Sequence, residues 1–264
     1  MAKTQKELAF LRDLYIEDAW THRFTELVDK HLKLDESENL LYLNAGTGNH
    51  AFALQEKYGE KTDVFAAVEN EDLLAIARDK AAAISSNVDV SMIRFEDESF
   101  DTVLADATFV RPADLEDFID GAVRVAKNGA DVAFFLPSAG SYGEVFSVIW
   151  EVLFNEELSE DNAAVERLVA AIPTITRLEE IADRTNLVNL KIESAIEIFE
   201  FDNGAEFVAS PLVEDFLMPI WLETLSEEDF PRITQKLAEL IDSEEGDLNF
   251  RFSVKATFAT GEKT

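Results

Sequence analysis

The sequence predicts an α/β domain organised around a doubly wound, mostly parallel β-sheet. Short apolar runs, such as 40–43, 64–68 and 131–136, alternate with segments of helical periodicity, as buried parallel strands alternate with their crossover helices. The first run leads into Gly46 and Gly48, whose missing side chains allow a ligand to approach the main chain. The helix that follows directs unpaired N–H groups at such a ligand. Together these features predict a loop that binds a nucleotide or a nucleoside cofactor.

The glycine loop alone leaves the identity of the cofactor open. Gly46, Gly48 and Ala51 also satisfy the G-x-G-x-x-A pattern of dinucleotide-binding loops. An ordinary strand-to-helix turn without a ligand is a further alternative, because a short glycine motif is a weak signal.

An acidic residue follows the second apolar run. Glu69 comes directly after 64–68 and lies 23 residues beyond Gly46. In dinucleotide-binding domains, an acid at this position holds the hydroxyls of a ribose. A solvated acid at the end of a strand is the alternative in a chain this acidic. The spacing favours the ribose-binding role.

Composition and charge exclude several classes of partner. The chain has 264 residues, of which 54 are acidic and 23 are basic, and its net charge is −31. Such a surface repels the phosphate backbone of nucleic acids and anionic lipids, so we expect a small-molecule substrate and no nucleic acid. The acidic excess is spread along the chain, which favours solubility or adaptation to high salt over a single cationic partner.

The absence of certain residues and segments narrows the class further. Cysteine is absent and there are three histidines, so we expect neither disulfides nor a metal site. No apolar run reaches the ~20 residues of a membrane span. The N-terminal residues lack the apolar region of a secretory signal. We therefore expect a cytoplasmic protein without membrane insertion.

The whole chain, 1–264, is predicted to form one domain. Helical periodicity marks an N-terminal helical segment at 1–38, ahead of a cofactor-binding core at 39–154. An acidic helical stretch at 155–186 indicates an inserted cap. The remainder, 187–264, holds the C-terminal strands and helices. Within that remainder, alternating apolar residues predict a sixth strand over 187–201 and a last strand over 249–259.

Four segments, in order, resemble motifs of the class I S-adenosylmethionine-dependent methyltransferases. The segment at 95–106 reads FEDESFDTVLAD and resembles the entry into the family's fourth strand. The segments at 41–49 (LYLNAGTGN) and 68–70 (VEN) are similar to the first and second cofactor motifs. The segment at 124–138 (RVAKNGADVAFFLPS) is similar to the turn into the fifth strand. The resemblance implies a Rossmann-like, seven-stranded, mostly parallel sheet with an antiparallel last strand, an N-terminal helix and a helical cap insertion.

The resemblance also implies S-adenosylmethionine as the cofactor and a role for each matching residue. Gly46, Thr47 and Gly48 would approach the methionine part of the cofactor. Glu69 would hold the ribose hydroxyls, and Asn70 would lie beside the adenine.

The third and fourth strands supply the other implied contacts. Asp89 and Val90 fall on the family's Asp-Ala pair, so Asp89 would meet the adenine amino group. Asp106 and Ala107 follow the fourth strand and would line the methionine side.

Two positions depart from the family pattern. Asn44 replaces the usual acid at the end of the first strand, which helps to hold the cofactor's ammonium group. The amide keeps the hydrogen-bonding shape of that acid and loses its charge, so we expect a weaker cofactor site that Asn44→Asp tightens. Asn49 replaces the usual third glycine, and asparagine tolerates left-handed backbone angles better than most residues.

Three functions are compatible with the sequence. The first is methyl transfer from S-adenosylmethionine to a small-molecule acceptor. The second is a degenerate methyltransferase fold that serves as a binding or assembly module without catalysis, which Asn44 favours. The third is an NAD-dependent oxidoreductase, against which the motifs of the fourth and fifth strands count.

The sequence predicts no particular catalytic residue. Methyl transfer mainly needs alignment of the acceptor and exclusion of water, so membership of the family does not require a base. His50 lies near the glycine loop, and Tyr15, Asp106 and Tyr142 are further candidates without stronger support. Tyr15 and Trp20 could also cover a pocket, although aromatic residues on an amphipathic helix are more often core residues.

Overall fold

The protein folds around a seven-stranded sheet, as seen in a computed structural model that describes residues 3–34, 36–245 and 249–264. The strands are β1 (Asn39–Leu43), β2 (Asp63–Ala67), β3 (Asp89–Ser91), β4 (Phe100–Asp106), β5 (Ala126–Ser138), β6 (Leu187–Phe201) and β7 (Phe250–Lys263). Their order in the sheet is β3-β2-β1-β4-β5-β7-β6. The predicted number of strands is confirmed for this described part of the chain.

Strands β1 to β5 form the parallel part of the sheet. β1 pairs with β2 and β4, β2 pairs with β3, and β4 pairs with β5, each in parallel. β1 and β4 are largely buried, as expected for apolar runs in a sheet covered on both faces. Because parallel strands end at the same edge, the residues after β1, β2 and β4 meet at the carboxyl edge, where ligands bind to sheets of this kind.

Strand β7 is antiparallel to β6. The Thr264 N–H donates to the Asn186 backbone oxygen at 3.1 Å, and the Ser194 and Thr257 hydroxyls lie 3.0 Å apart, so the numbering rises along one strand as it falls along the other. The prediction of an antiparallel last strand is confirmed. The position of β7 between β5 and β6 also departs from the 3-2-1-4-5-6 order of dinucleotide-binding domains.

Helices occupy most of the chain between the strands. The α-helices are α1 (Gln5–Leu11), α2 (His22–His31), α3 (Asn49–Tyr58), α4 (Glu71–Ile84), α5 (Leu115–Val125), α6 (Gly143–Asn155), α7 (Ser159–Ala171), α8 (Ile175–Arg184), α9 (Gly204–Ala209), α10 (Met218–Trp221) and α11 (Asp229–Glu245). A 3₁₀ turn covers Pro112–Asp114, and π-helical segments cover Arg12–Thr21 and Leu212–Leu217. Within the described residues, no helix is both long enough and apolar enough to cross a membrane.

One continuous helical run forms the N-terminal segment. It begins with a capping box, in which the Glu7 N–H donates to the Thr4 hydroxyl and the Thr4 N–H donates to the Glu7 carboxylate at 2.8 Å. After α1 the run continues as the π-helical segment Arg12–Thr21 and then as α2. π-Helical turns are rare in proteins, and those that occur are frequently found at functional sites.

Backbone contacts divide the chain into two compact units. Unit 1 comprises Met1–Leu136, Ile175–Ser194 and Thr257–Thr264, and unit 2 comprises Pro137–Thr174 and Ala195–Ala256. Unit 1 holds the N-terminal segment, the glycine loop and strands β1 to β4. The sequence predicted one domain over 1–264. That assignment stays a prediction beside this finer division into two compact units.

Helices α5 and α8 belong to one core cluster of unit 1. Ile119 and Val123 of α5 are buried together with Leu178 and Ile181 of α8 and with residues of β4 and β5. The sequence assigned α8 to the cap at 155–186. The structure places it in this core instead, because its apolar side is buried there.

Unit 2 has a core rich in aromatic residues. The ring centroids of Tyr142 and Trp221 lie 5.2 Å apart, and those of Phe146 and Trp221 lie 5.8 Å apart. At the start of α9, a Cβ on Gly204 would lie 2.4 Å from the Ala238 backbone oxygen of α11. A glycine is therefore needed where these two helices pack closely.

Candidate functional site

The glycine loop joins β1 to α3 at the carboxyl edge of the sheet. Gly46 and Gly48 have φ angles of +58° and +85°, in the left-handed region that favours glycine. A Cβ on Gly48 would lie 2.7 Å from the Phe52 ring. The loop is buried, and Thr47 has no exposed surface. The predicted turn is therefore present, and other parts of unit 1 cover it.

Glu69 follows β2 and lies beside this loop. The Gly46 N–H donates to Glu69 Oε2 at 3.2 Å, so the structure brings together the two elements that the sequence singled out. The Glu69 side chain is 23% exposed. The next residue, Asn70, caps α4 because its Oδ1 accepts from the Leu73 N–H at 3.0 Å. The proposed ribose acid thus lies at the sheet edge, held by the loop.

Asp106 ends β4 and is linked to β1 through Asn44. Asn44 Nδ2 donates to the Asp106 backbone oxygen at 3.1 Å, from a backbone with a φ of +56°. Asp106 Oδ1 accepts from the Thr108 N–H at 2.8 Å, and Asp106 and Ala107 are both buried. The Asn44 amide therefore ties the ends of two adjacent strands together. An ionised carboxylate could not do so, because it has no hydrogen to donate.

The structure places Asp89 and Val90 apart from this group. Asp89 begins β3 and pairs with Phe65, two residues before the end of the strand at Ser91. Asp89 is exposed and Val90 is buried. Among the contacts of the described residues, none joins Asp89 to the glycine loop. Its role beside the adenine stays a prediction.

Ser91 lies at the carboxyl edge, where the sequence predicted no site residue. Its backbone oxygen accepts from the Val68 N–H at 3.0 Å, which sets it beside the end of β2. Its hydroxyl is buried and has no hydrogen-bond partner within the described part of the chain. A lone serine carries no motif, so only the strand pairing identifies this group as a candidate for binding a ligand.

Arg12 of the π-helical segment reaches into the same edge. Arg12 Nη1 lies 2.6 Å from Glu69 Oε1, and Arg12 Nη2 lies 3.8 Å from Asp106 Oδ2. The guanidinium also lies 5.2 Å from the centroid of the Phe109 ring, within the range of a cation–π contact. Arg12 is only 8% exposed. A buried cation of the chain itself is therefore paired with the proposed ribose acid.

Two acids of the same segment bind the glycine loop. The Glu17 carboxylate lies beside the loop, where the Thr47 backbone N–H lowers the pKa of Glu17, and the Thr47 hydroxyl donates to Asp13 Oδ1 at 2.8 Å. Asp13 also forms an ion pair with Lys80 of α4. A Cβ on Gly46 would lie 3.0 Å from Glu17 Oε1. The N-terminal segment thus supplies both a cation to the acid after β2 and carboxylates to the loop.

Helical periodicity could not place Arg12 and Glu17 together. Positions five apart in an α-helix are about 140° apart around the axis, on different faces. In the π-helical segment the backbone hydrogen bonds join residues five apart, as when the His22 N–H donates to the Glu17 backbone oxygen. This wider turn brings residues five positions apart onto one face of the helix. No sequence pattern marks this change, so these residues were missed.

Burial and neighbouring charges shift the pKa values of three of these groups. Burial raises the pKa of Glu17 to about 7, although Arg12 and Lys80 favour its ionised form. Burial likewise raises the pKa of Asp106 to about 6, against the effects of Arg12 and the Thr108 hydrogen bonds. Burial alone would lower the pKa of Arg12. The nearby carboxylates of Glu69, Asp106 and Glu17 outweigh this effect and raise the pKa of Arg12.

Stability should fall as the pH rises from 5 to 8. The folded-state pKa of Glu17, about 7, lies above its ordinary value of 4.5, so the folded state binds this proton more tightly than the unfolded state. That stabilisation is present below the ordinary value and is lost as the pH rises through about 7. Glu17→Gln should reduce the pH dependence of the free energy of unfolding by roughly 1–3 kcal/mol, measured by urea denaturation.

The control for this experiment is Glu26→Gln on α2. The Glu26 side chain is 69% exposed, so its removal should leave the pH dependence unchanged. An equal pH dependence for wild type and Glu17→Gln would contradict the assignment.

The residues at this edge suit S-adenosylmethionine in their chemistry. The Glu69 carboxylate can accept from two ribose hydroxyls, and an edge with three carboxylates suits a cofactor of net positive charge. The Arg12 Nε is buried and has no hydrogen-bond partner among the described residues. The residues at the carboxyl edge therefore fit the cofactor. Arg12 and Glu17 lie against the same groups that would hold it.

Among the remaining candidate residues, Trp20 and His50 have structural partners. Tyr15 is 52% exposed, whereas Trp20 is fully buried, so of the two only Trp20 is covered. His50 Nδ1 lies 3.3 Å from the Tyr42 hydroxyl, and His50 Nε2 lies 3.9 Å from Asp29 Oδ1. No contact among the described residues makes any of them a catalytic base.

Comparison with known proteins agrees with this geometry. Residues 41–129 match the sequence model of a methyltransferase domain family. They include β1, the glycine loop, Glu69 and β4. No curated protein matches the sequence.

Several solved structures share the fold over nearly the whole chain. A Bacillus halodurans protein described as a candidate methyltransferase has a TM-score of 0.59 and 16% identity, over 92% of this chain and 99% of its own. The phosphoethanolamine N-methyltransferase 2 of Haemonchus contortus, solved with S-adenosylhomocysteine, has a TM-score of 0.57 and 14% identity, over 98% of this chain and 58% of its own. The geranyl diphosphate C-methyltransferase of Streptomyces coelicolor has a TM-score of 0.52 and 12% identity, over 94% of this chain and 80% of its own.

The fold and the site define the class of protein. The strand order with β7 between β5 and β6 is that of the class I methyltransferases, so the resemblance found in the sequence is confirmed. Residues 41–129 match the model of the methyltransferase domain family. The low identities of the solved structures establish the fold and leave the acceptor open.

Proposed function

We propose that this protein binds S-adenosylmethionine and transfers its methyl group to a small-molecule acceptor. The observation that carries the proposal is the convergence of the glycine loop, Glu69 and Asp106 at one edge of a methyltransferase-type sheet. The match of residues 41–129 to the methyltransferase domain family supports it. The NAD-dependent alternative has no comparable support, because the strand order departs from that of dinucleotide-binding domains.

Each residue of the edge has a proposed role in holding the cofactor. Glu69 accepts from the ribose hydroxyls, and Asn70 and Asp89 lie on the adenine side. Gly46, Thr47 and Gly48 form the turn at the start of α3, where the main chain would approach the methionine part of the cofactor. The remaining proposed contacts come from Asn44, Val90 and Asp106.

The chain's part in the reaction is alignment and exclusion of water. When bound, the cofactor supplies an activated methyl group. The buried Asp106 and Ala107 and the half-buried Phe109 would shield the reacting groups from solvent. Positioning of the acceptor then accounts for most of the rate enhancement, since no base is required unless the acceptor must lose a proton early.

A small-molecule acceptor is favoured by charge. The net charge of −31 disfavours nucleic acid as the substrate. The Haemonchus contortus enzyme was solved with phosphomonomethylethanolamine and the Streptomyces coelicolor enzyme with geranyl diphosphate, both small molecules. These precedents support the class of acceptor proposed here.

Calorimetric titration tests the cofactor. S-adenosylmethionine should bind, whereas NAD should produce no heat of binding at the same concentration. Heat from NAD alone would overturn the proposal in favour of an oxidoreductase.

Glu69→Gln should weaken S-adenosylmethionine binding. The amide keeps the shape of the carboxylate but loses the charge-assisted hydrogen bonds to two hydroxyls, so we expect a dissociation constant roughly tenfold higher. Glu71→Gln is the matched control, because Glu71 is exposed in the first turn of α4 and should leave the constant unchanged. The same constant for wild type and Glu69→Gln would reject the ribose role.

A degenerate fold without catalysis is the second candidate, and one observation favours it. Arg12 and Glu17 make the contacts to Glu69 and the glycine loop that a cofactor would need. If these contacts are permanent, the protein is a binding or assembly module. The absence of any heat with millimolar S-adenosylmethionine, for wild type and for variants at Arg12, would establish this alternative.

A further inference from the structure

We infer that Arg12 is an internal cation that holds the cofactor site closed and must leave Glu69 before the cofactor can bind. The inference rests on the proposed function, because it concerns access to that same site. Arg12 then acts as a gate for the cofactor, and its position sets the apparent affinity of the site.

The contacts of Arg12 involve the groups that the cofactor would use. Its Nη1 lies 2.6 Å from Glu69 Oε1, so the proposed ribose acid is already paired. Its Nε lies 3.2 Å from the position of a Cβ on Gly46, which places the guanidinium against the glycine loop. A cofactor that binds through Glu69 and the glycine loop therefore competes with Arg12 for these groups.

Glu17 and Asp13 close the other half of the edge. The Thr47 hydroxyl donates to Asp13 Oδ1 at 2.8 Å, and Glu17 Oε1 lies 3.0 Å from the position of a Cβ on Gly46. All three side chains of the N-terminal segment come from one short stretch, 12–17, so a single movement of this stretch releases them together. Closure is therefore a property of the segment, and Arg12 is its charged contact with the ribose acid.

The charge of the edge explains how a cofactor could replace Arg12. One guanidinium faces the carboxylates of Glu69, Asp106 and Glu17. Withdrawal of Arg12 removes the guanidinium that lies against Glu69 and Asp106, which is unfavourable in a buried setting. S-adenosylmethionine carries a net positive charge, so its arrival restores the balance that the withdrawal of Arg12 removes.

The local backbone can accommodate this movement. The segment Arg12–Thr21 is π-helical between two α-helices, and its i→i+5 bonds can be exchanged for i→i+4 bonds with a change of helical phase. Such an exchange rotates Arg12 away from Glu17 around the helix axis. The capped start of α1 limits the change on the N-terminal side of this stretch.

Calorimetry on Arg12 variants tests the gate. Arg12→Gln should bind S-adenosylmethionine roughly tenfold more tightly than wild type, because the cofactor no longer has to displace a paired guanidinium. Arg23→Gln, which removes the same charge from α2, should bind like wild type; the Arg23 Nε donates to the Ala19 backbone oxygen one turn earlier. Weaker binding by Arg12→Gln would overturn the inference and make Arg12 a ligand of the cofactor.

A charge-balanced variant covers the case in which Arg12→Gln fails to fold. Arg12→Gln combined with Glu17→Gln removes one cation and one acid, and it should also bind more tightly than wild type. Binding equal to that of wild type in every folded variant would refute the gate while leaving the proposed function intact. The absence of binding in all of them would refute both.

Fluorescence of Trp20 provides a readout that does not depend on affinity. The sequence has three tryptophans, and Trp20 is fully buried. Replacement of Trp150 and Trp221 by phenylalanine leaves Trp20 as the single fluorescent reporter. Addition of S-adenosylmethionine should shift the Trp20 emission as the N-terminal segment moves. An unchanged emission at saturating cofactor would contradict the movement.

Discussion

Trp20→Ala is expected to lower the free energy of unfolding by about 3–5 kcal/mol, the range measured when large buried aromatic residues are truncated. Trp20 has no exposed surface. Its ring lies 5.0 Å from the Phe24 ring and is stacked on Phe109 at 5.7 Å. Loss of the indole leaves a cavity between α2 and the residues after β4. Urea denaturation at pH 7 measures the change.

Trp150→Ala is the matched control for this experiment. Trp150 is 44% exposed and stacks on Phe154 on the surface of α6, so its truncation should cost about 1 kcal/mol or less. Similar losses for Trp20→Ala and Trp150→Ala would contradict the burial assigned to Trp20.

Trp20 also connects stability to the gate. Phe109 contacts both the Trp20 ring and the Arg12 guanidinium. Trp20→Ala should therefore loosen the support of Arg12 as well as the core. Trp20→Phe, which keeps an aromatic ring in the cavity, should restore most of the stability.

Asn44→Asp should lower the free energy of unfolding by about 2 kcal/mol in the absence of ligand, the cost of breaking a hydrogen bond to a buried group. The Asn44 Nδ2 donates to the Asp106 backbone oxygen at 3.1 Å, and a carboxylate cannot make this bond. The new negative charge would also lie beside the end of β4, close to a buried acid. The sequence alone predicted only the gain in cofactor affinity and not this cost.

The effect of Asn44→Asp on binding separates the two candidate functions. If the site binds a cationic cofactor, the variant should recover more stability than wild type when S-adenosylmethionine is added. Asn87→Asp is the control, because Asn87 is exposed and its substitution adds the same charge. A variant whose stability does not respond to the cofactor would favour the degenerate fold.

The candidate site was partly predictable from local signals. The glycine turn and the acid after the second strand follow from strand ends and turn residues, and the structure joins them through the Gly46 to Glu69 hydrogen bond at 3.2 Å. The assignment of Asp89 came from the family resemblance, by counting back along the sequence from 93–95. The register of β3 places Asp89 opposite Phe65 and leaves Ser91 at the carboxyl edge.

The sequence by itself determined the class of fold and the position of the glycine loop. Apolar alternation and turn residues are local properties, so the sixth strand predicted over 187–201 is observed at Leu187–Phe201. The same alternation predicts the last strand, and its antiparallel direction is what the resemblance to the class I methyltransferases implies.

Only the tertiary structure decided what lies against the loop. Arg12 meets Glu69, and Glu17 meets Thr47, because the N-terminal segment packs over the carboxyl edge with π-helical geometry. A sequence pattern encodes which face of a helix is apolar, but it does not encode the phase of a helix that departs from α geometry. The pairing of buried charges depends on that phase and on the packing of residues far apart in the chain, which is why the closed site became apparent only in three dimensions.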